Sequence, residues 1–155
     1  MTKHRIVIKI ADQEAKLFDE GRLVKTYKIS SALNGIGTDA GSFRTPHGVL
    51  KVAQKIGYGE PVGSVFKARV PVGKIWDAGE HEPTEDDLVL TRILWLEGAE
   101  AHNANTLERF IYLHGTNQEA LLGTPVSHGC IRLSNLDVLE LFDLVAVGTE
   151  VEILA

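Results

Sequence analysis

The sequence predicts a mostly-β fold, a sandwich or barrel with one late α-helix. Three observations carry this. Short apolar runs recur from Arg5 to Ile153, Gly- and Asn-containing turns separate them, and a single stretch after Ser134 has helical spacing. Neither an internal repeat nor a linker interrupts the pattern. The 155 residues are expected to form one domain, 1–155, long enough to bury a core without disulfides or metal.

Arg5 to Ile10 alternates, with Ile6, Ile8 and Ile10 on one face, and reads as an opening strand. Asp12-Gln13 turns the chain into a short strand from Ala15 to Phe18, and Asp19-Glu20-Gly21 turns it again into Leu23 to Ser30. Asn34 to Ser42 is a glycine-rich loop without the lysine of a P-loop and without a helix pattern behind it, so phosphate binding is set aside. Thr45-Pro46-His47-Gly48 is a turn into Val49 to Val52, with His47 as an exposed turn residue that could border a cleft. Residues 53–87 carry scattered Gly, Pro and short apolar pieces and are expected to be a variable loop or lid. The acidic run Glu80 to Asp87 within them reads as a solvated turn, since its spacing fits no compact metal site.

Leu88 to Leu96 is a nearly continuous apolar run, suited to a strand buried on both faces. Arg92 inside it must either pair with a buried acid or reach a polar cleft. After an Asn-rich loop from His102 to Thr106, Phe110 to Leu113 reads as an interior strand that delivers His114 at its end, where Gly115 lets the backbone turn. Ser134 is an N-cap with Asp137 three residues on. Val138, Leu141, Phe142 and Val145 then fall on one helical face, and Gly148 closes the helix before a final strand from Thr149 to Ile153.

A net charge of −5 and the lack of any Lys/Arg stripe argue against a nucleic-acid partner. The basic start, Thr2-Lys3-His4-Arg5, leads into an apolar run broken by Lys9 and Asp12, too interrupted for a secretory leader, and no run approaches a membrane-spanning length. The expected location is the cytoplasm, although a trimmed exported chain would read the same way.

The chemistry concentrates in Tyr112-Leu113-His114-Gly115-Thr116-Asn117 and Ser127-His128-Gly129-Cys130-Ile131-Arg132-Leu133. Cys130 is the only cysteine, so no internal disulfide can form, and a lone thiol near histidines is a candidate nucleophile. His114 and His128 are both candidate bases by position alone. The backbone N–H groups of Gly129 and Cys130 could form an oxyanion hole. Arg132 would favour the thiolate, and its planar fork suits a substrate carboxylate. The competing readings are a buried structural cysteine, with Ile131 and Leu133 nearby as core, and a zinc site on His114, His128 and Cys130, which lacks a fourth ligand and a chelating spacing. No cofactor is expected.

The His114-Gly115-Thr116-Asn117 segment followed by Ser127-His128-Gly129-Cys130-Ile131-Arg132-Leu133 closely resembles the signature of the L,D-transpeptidase catalytic domain (YkuD-type) family. The opening strand and hairpin, the Thr45-Pro46-His47-Gly48 turn and the Leu133 to Asp137 helix start resemble that domain's other landmarks, whereas residues 53–108 match little. The resemblance implies an L,D-transpeptidase-like β-sandwich or barrel acting on peptidoglycan stem peptides or muropeptides. Cys130 would attack the carbonyl joining the L-centre of a diamino acid to a terminal D-residue. His114, oriented by the Gly115 carbonyl, would be the base. Ser127 and His128 would shape the site, Gly129 and Cys130 would hold the oxyanion, and Arg132 would lie close to substrate. The expected outcome is transfer to water, an L,D-carboxypeptidase of cytoplasmic muropeptide recycling. The alternatives are crosslinking or D-amino-acid exchange by the same thioester, a non-catalytic stem-peptide binding module, and a redox sensor on Cys130 that would need a thiol from elsewhere.

Overall fold

The computed structural model describes residues 4–77 and 87–155. Its strands are β1 (His4–Lys9), β2 (Glu14–Asp19), β3 (Arg22–Lys28), β4 (Gly48–Ile56), β5 (Ser64–Lys67), β6 (Val70–Ile75), β7 (Val89–Gly98), β8 (Tyr112–Gly115), β9 (Ile131–Leu133) and β10 (Glu150–Leu154), with one α-helix, α1 (Asn135–Leu144). They form a single sheet in the order β3-β2-β1-β10-β4-β7-β5-β6, with β8 paired to β7 and β9 to β8. The mostly-β class with one late helix is what the sequence predicts.

The period-2 pattern explains the inner face. Ile6 and Ile8 of β1, Ala15 and Leu17 of β2, and Val151 and Ile153 of β10 are buried in one cluster with Leu50, Leu94, Leu113 and Ile131. Burying each such Leu or Ile contributes about 1.5–3 kcal/mol. On the outer face Arg5 bridges Glu150 and Glu152 across the parallel β1–β10 pair. The sheet curls until the residue after next beyond β3, Ser30, exchanges backbone bonds with Arg132 of β9 (3.0 and 2.9 Å). Helix α1 lays Val138, Leu141 and Phe142 onto this core. Its start is as read: the Ser134 hydroxyl accepts from the Asp137 amide at 3.1 Å. Its end comes earlier, at Leu144, with Val145 as C-cap, and Gly148 (φ +93°) instead turns the chain toward β10.

Residues 53–77 are more regular than a variable loop. β4 continues to Ile56, and β5 and β6 form a hairpin. Its two turn residues, Ala68 and Arg69, are both left-handed (φ +48° and +67°), a geometry that usually advertises itself with Asn or Gly. The acidic run 80–86 lies outside the described residues; Asp87 lies within them. β7 is buried along most of its length, as expected. Arg92 within it takes neither of the two predicted routes: its Nη1 donates to the carbonyls of Glu60 (2.8 Å) and Thr91 (2.6 Å), with the guanidinium over the Phe142 ring. β8 starts two residues later than predicted, because Phe110 is left-handed (φ +58°) and caps a 3-10 turn over Leu107–Arg109.

Candidate active site

β8 and β9 run parallel, pairing Leu113 with Ile131, His114 with Arg132 and Gly115 with Leu133. Strand alternation then sets Tyr112, His114, Cys130 and Arg132 on a common side. The Cys130 sulfur accepts from the Tyr112 amide at 3.3 Å, and its thiol donates to the Phe110 carbonyl at 3.3 Å. His114 is 1% exposed, and its Nδ1 lies 2.6 Å from the Gly115 carbonyl oxygen. A carbonyl only accepts, so Nδ1 carries the proton and Nε2 keeps its lone pair.

Burial sets the resting protonation. It pushes the Cys130 thiol up to about 12, and the Asp87 carboxylate adds to that, while the Tyr112 amide, Arg132 and Arg109 pull it down. The help that Arg132 gives the thiolate is present, but desolvation outweighs it. Burial also holds His114 below its ordinary value; the Gly115 carbonyl and Asp87 oppose this and Arg132 reinforces it. The site at rest is a neutral thiol beside a neutral imidazole.

The loop carrying Cys130 is built by hydroxyls. Ser127, buried, donates to the Cys130 carbonyl (2.6 Å) and accepts from the Gly129 amide (3.2 Å). Both bonds lie inside the loop, so Ser127 shapes the turn, and the Gly129 N–H is engaged at rest instead of standing ready for an oxyanion. Gly129 itself has φ +133°. Thr45, fully buried, donates to the Gly129 carbonyl (3.0 Å) and accepts from the Ala32 amide (3.0 Å). This is the structural content of the Thr45-Pro46 turn, which the sequence marked as a turn but not as a support of the site.

The two histidines separate cleanly. His128 is exposed, edge-on to Phe43 (ring centroids 5.8 Å) and 3.9 Å from Asp87 Oδ2. It lines a cavity of about 270 Å³ with Phe43, Glu108, Arg109 and Ile111. Arg132 is 2% exposed, and its fork is already occupied on two sides: Nη2 by Asp87 Oδ2 (3.0 Å) and Nη1 by Gln118 Oε1 (2.7 Å), while Nε and Asp87 Oδ1 are buried without a partner. A further wall forms where the Arg69 guanidinium lies over Trp95 (4.7 Å) and Phe110 (4.8 Å) and donates to the Tyr112 hydroxyl (3.0 Å). Among the described residues no group of three His, Cys, Asp or Glu is placed to hold a metal.

A buried, carbonyl-oriented histidine on β8 thus stands beside a lone thiol at the entry to the parallel strand β9. The profile of the YkuD family, the L,D-transpeptidase catalytic domain, matches residues 3–153. The chain belongs to this family. Among curated relatives, a Bacillus licheniformis protein bearing the name L,D-transpeptidase YkuD is 29% identical over 151 residues, covering 97% of this chain and 65% of that protein. Escherichia coli K12 YbiS, named as an L,D-transpeptidase, is 50% identical over 44 residues, 28% of this chain and 14% of that protein. The solved L,D-transpeptidase of Xylanimonas cellulosilytica superposes with a TM-score of 0.62 at 20% identity, covering 98% of this chain and 60% of that chain. L,D-transpeptidase 3 of Mycobacterium tuberculosis, solved with a faropenem-derived adduct, gives 0.62 at 17%, covering 99% and 60%. The L,D-transpeptidase fold therefore extends over essentially all of this chain, while the chain spans less than two thirds of the length of these relatives. No helix among the described residues is long and apolar enough to cross a membrane.

Proposed function

We propose that the chain is a cysteine acyl-transfer enzyme acting on peptidoglycan stem peptides, with water as its principal acceptor: an L,D-carboxypeptidase that trims tetrapeptides to tripeptides in cytoplasmic recycling. The observation that carries the reading is the Nδ1-anchored, neutral His114 on the strand beside Cys130. A neutral thiol needs a base at the moment of attack, and an imidazole with its lone pair on Nε2 is one.

Cys130 Sγ adds to the carbonyl between the L-centre of the diamino acid and D-alanine while its proton passes to His114 Nε2. The tetrahedral oxyanion takes the Cys130 amide and, once Ser127 releases it, the Gly129 amide. Collapse breaks the C–N bond as His114 returns the proton to the departing amine. Water then attacks the thioester, His114 takes its proton, and the thiol is restored with a free carboxylate on the tripeptide. Transfer to water needs nothing beyond access to the thioester, since water stands at about 55 M; an amine competes only when it is pre-positioned. The cavity lined by Phe43, Glu108, Arg109 and His128 supports the second reading, in which an amine bound there turns the same thioester into a crosslink or an exchanged D-residue.

The test is mass spectrometry of a soluble tetrapeptide muropeptide with and without added D-amino acid, beside Cys130→Ala. Tripeptide in both conditions supports the carboxypeptidase; dimers or exchanged residues support the transpeptidase. No turnover by the unsubstituted protein overturns both and leaves a binding module.

A further inference from the structure

Opposite the histidine, β7 carries a bulge between Leu90 and Ile93, where it pairs with Gly115 and His114 of β8. At its centre Thr91, fully buried, has φ +72°. A β-branched residue adopts this conformation rarely and at a cost, so something must hold it there. Its hydroxyl accepts from the Gly63 amide (2.9 Å) and donates to Asn135 Oδ1 (2.6 Å). The Asn135 Nδ2 in turn donates to the Thr116 carbonyl (2.9 Å), which fixes which end of the carboxamide faces which partner. The amide lies so close to Gly115 that a β-carbon there would overlap Asn135 Oδ1 and come within 2.7 Å of the Leu90 carbonyl. The Asn135 side chain is thus fastened to Thr91 at one end and to the Thr116 carbonyl at the other, flanking Gly115, whose carbonyl holds His114.

Resting on the function proposed above, we propose that Thr91 and Asn135 are positioning residues for His114. Their hydroxyl–carboxamide chain fixes the Gly115–Thr116 backbone, and through the Gly115 carbonyl it fixes the tautomer and direction of the imidazole. Neither residue reaches the reacting atoms. The strained bulge exists to aim the Thr91 hydroxyl, and a backbone that only needed to bulge would be served better by glycine.

That contrast supplies the test. Thr91→Gly relieves the left-handed strain while deleting the hydroxyl, and Thr91→Ser keeps the hydroxyl. Each protein is assayed on the tetrapeptide, and its His114 ring is followed by nitrogen-detected NMR across pH, assigned with His114→Gln. Thr91→Gly is expected to lose at least about tenfold in kcat with KM unchanged, the scale of a base displaced by a fraction of an ångström, and its His114 titration should move further below the ordinary imidazole value, because the carbonyl that raises it is no longer held in place. Thr91→Ser should restore both. Asn135→Asp, which keeps the acceptor for Thr91 but not the donor to Thr116, should repeat the loss. A Thr91→Gly protein with parental kcat and an unmoved His114 titration overturns the proposal. Should the parent itself turn over no stem peptide, the functional reading fails, while the His114 tautomer and titration still decide this one.

Discussion

Arg132 Nη2 stands 3.0 Å from Asp87 Oδ2, so the guanidinium that draws Cys130 toward its thiolate is opposed by the carboxylate it pairs with. Asp87→Asn removes the charge that raises both Cys130 and His114. The thiol of this variant should alkylate faster than the parent's at pH 8. It should also lose about 1–3 kcal/mol of stability, because a nearly buried guanidinium forfeits its charged partner. Iodoacetamide kinetics and urea midpoints on the two proteins check both halves; an unchanged alkylation rate would refute the electrostatic account.

The unsubstituted protein should show an unactivated thiol. With Cys130 near 12, the fraction ionised at pH 7.5 is far below that of a free cysteine, whose ordinary value is about 8.5. Alkylation should therefore be slower than that of a free thiol at neutral pH and keep climbing past pH 9. A rate that levels off by pH 8 would mean a preformed thiolate.

Acid should weaken the fold through His114. Its folded value is depressed by burial, whereas the unfolded imidazole titrates near 6.5, so between the two the unfolded chain binds a proton that the folded one does not. The contribution is full above about pH 6.5 and declines as pH falls below it. His114→Gln should flatten the drop in urea midpoint between pH 7.5 and 5 and abolish turnover; parallel slopes for the two proteins would contradict this.

Gly115→Ala is expected to be costly although Gly115 is an ordinary strand residue by conformation. The added methyl meets the Asn135 carboxamide and the Leu90 carbonyl, both fixed. Overpacking of this kind costs about 1–3 kcal/mol, and the displaced carbonyl should release His114. Thermal melting beside the tetrapeptide assay reads both; a variant with parental melting and turnover would show that the cradle is loose.

What the sequence disclosed follows the range of its signals. The Cys130, His114 and Gly129 cluster and the Ser134–Asp137 cap are local patterns readable from neighbouring residues, whereas β8 starts later and α1 ends earlier than their residues suggest. The Asp87–Arg132 pair is invisible because it joins residues far apart in the chain, one of them the last of an acidic run with no periodicity. The β5–β6 hairpin was hidden because Ala68 and Arg69 are poor advertisements for a left-handed turn. Nothing in the apolar run from Leu88 to Leu96 reports that Thr91 bulges, since residue identity there signals burial and not φ. The engagement of the Gly129 amide by Ser127 is likewise a matter of rotamer, which composition does not carry.

The parallel pairing of β8 with β9 has a consequence for how such a site can change. His114 sits on one rail of the sheet and Cys130 at the entry to the next, and rails are spaced by main-chain hydrogen bonds at about 4.8 Å whatever side chains they bear. That gauge is indifferent to substitution. Under the proposed function, variation in the substrate accepted falls on the walls around it: Phe43 and Arg109 on one flank, and on the other the Arg69-bearing hairpin, contributed by a stretch of chain remote from Cys130 and His114. The spacing of β8 from β9 is set by the backbone, and the lining of the walls is left free to vary.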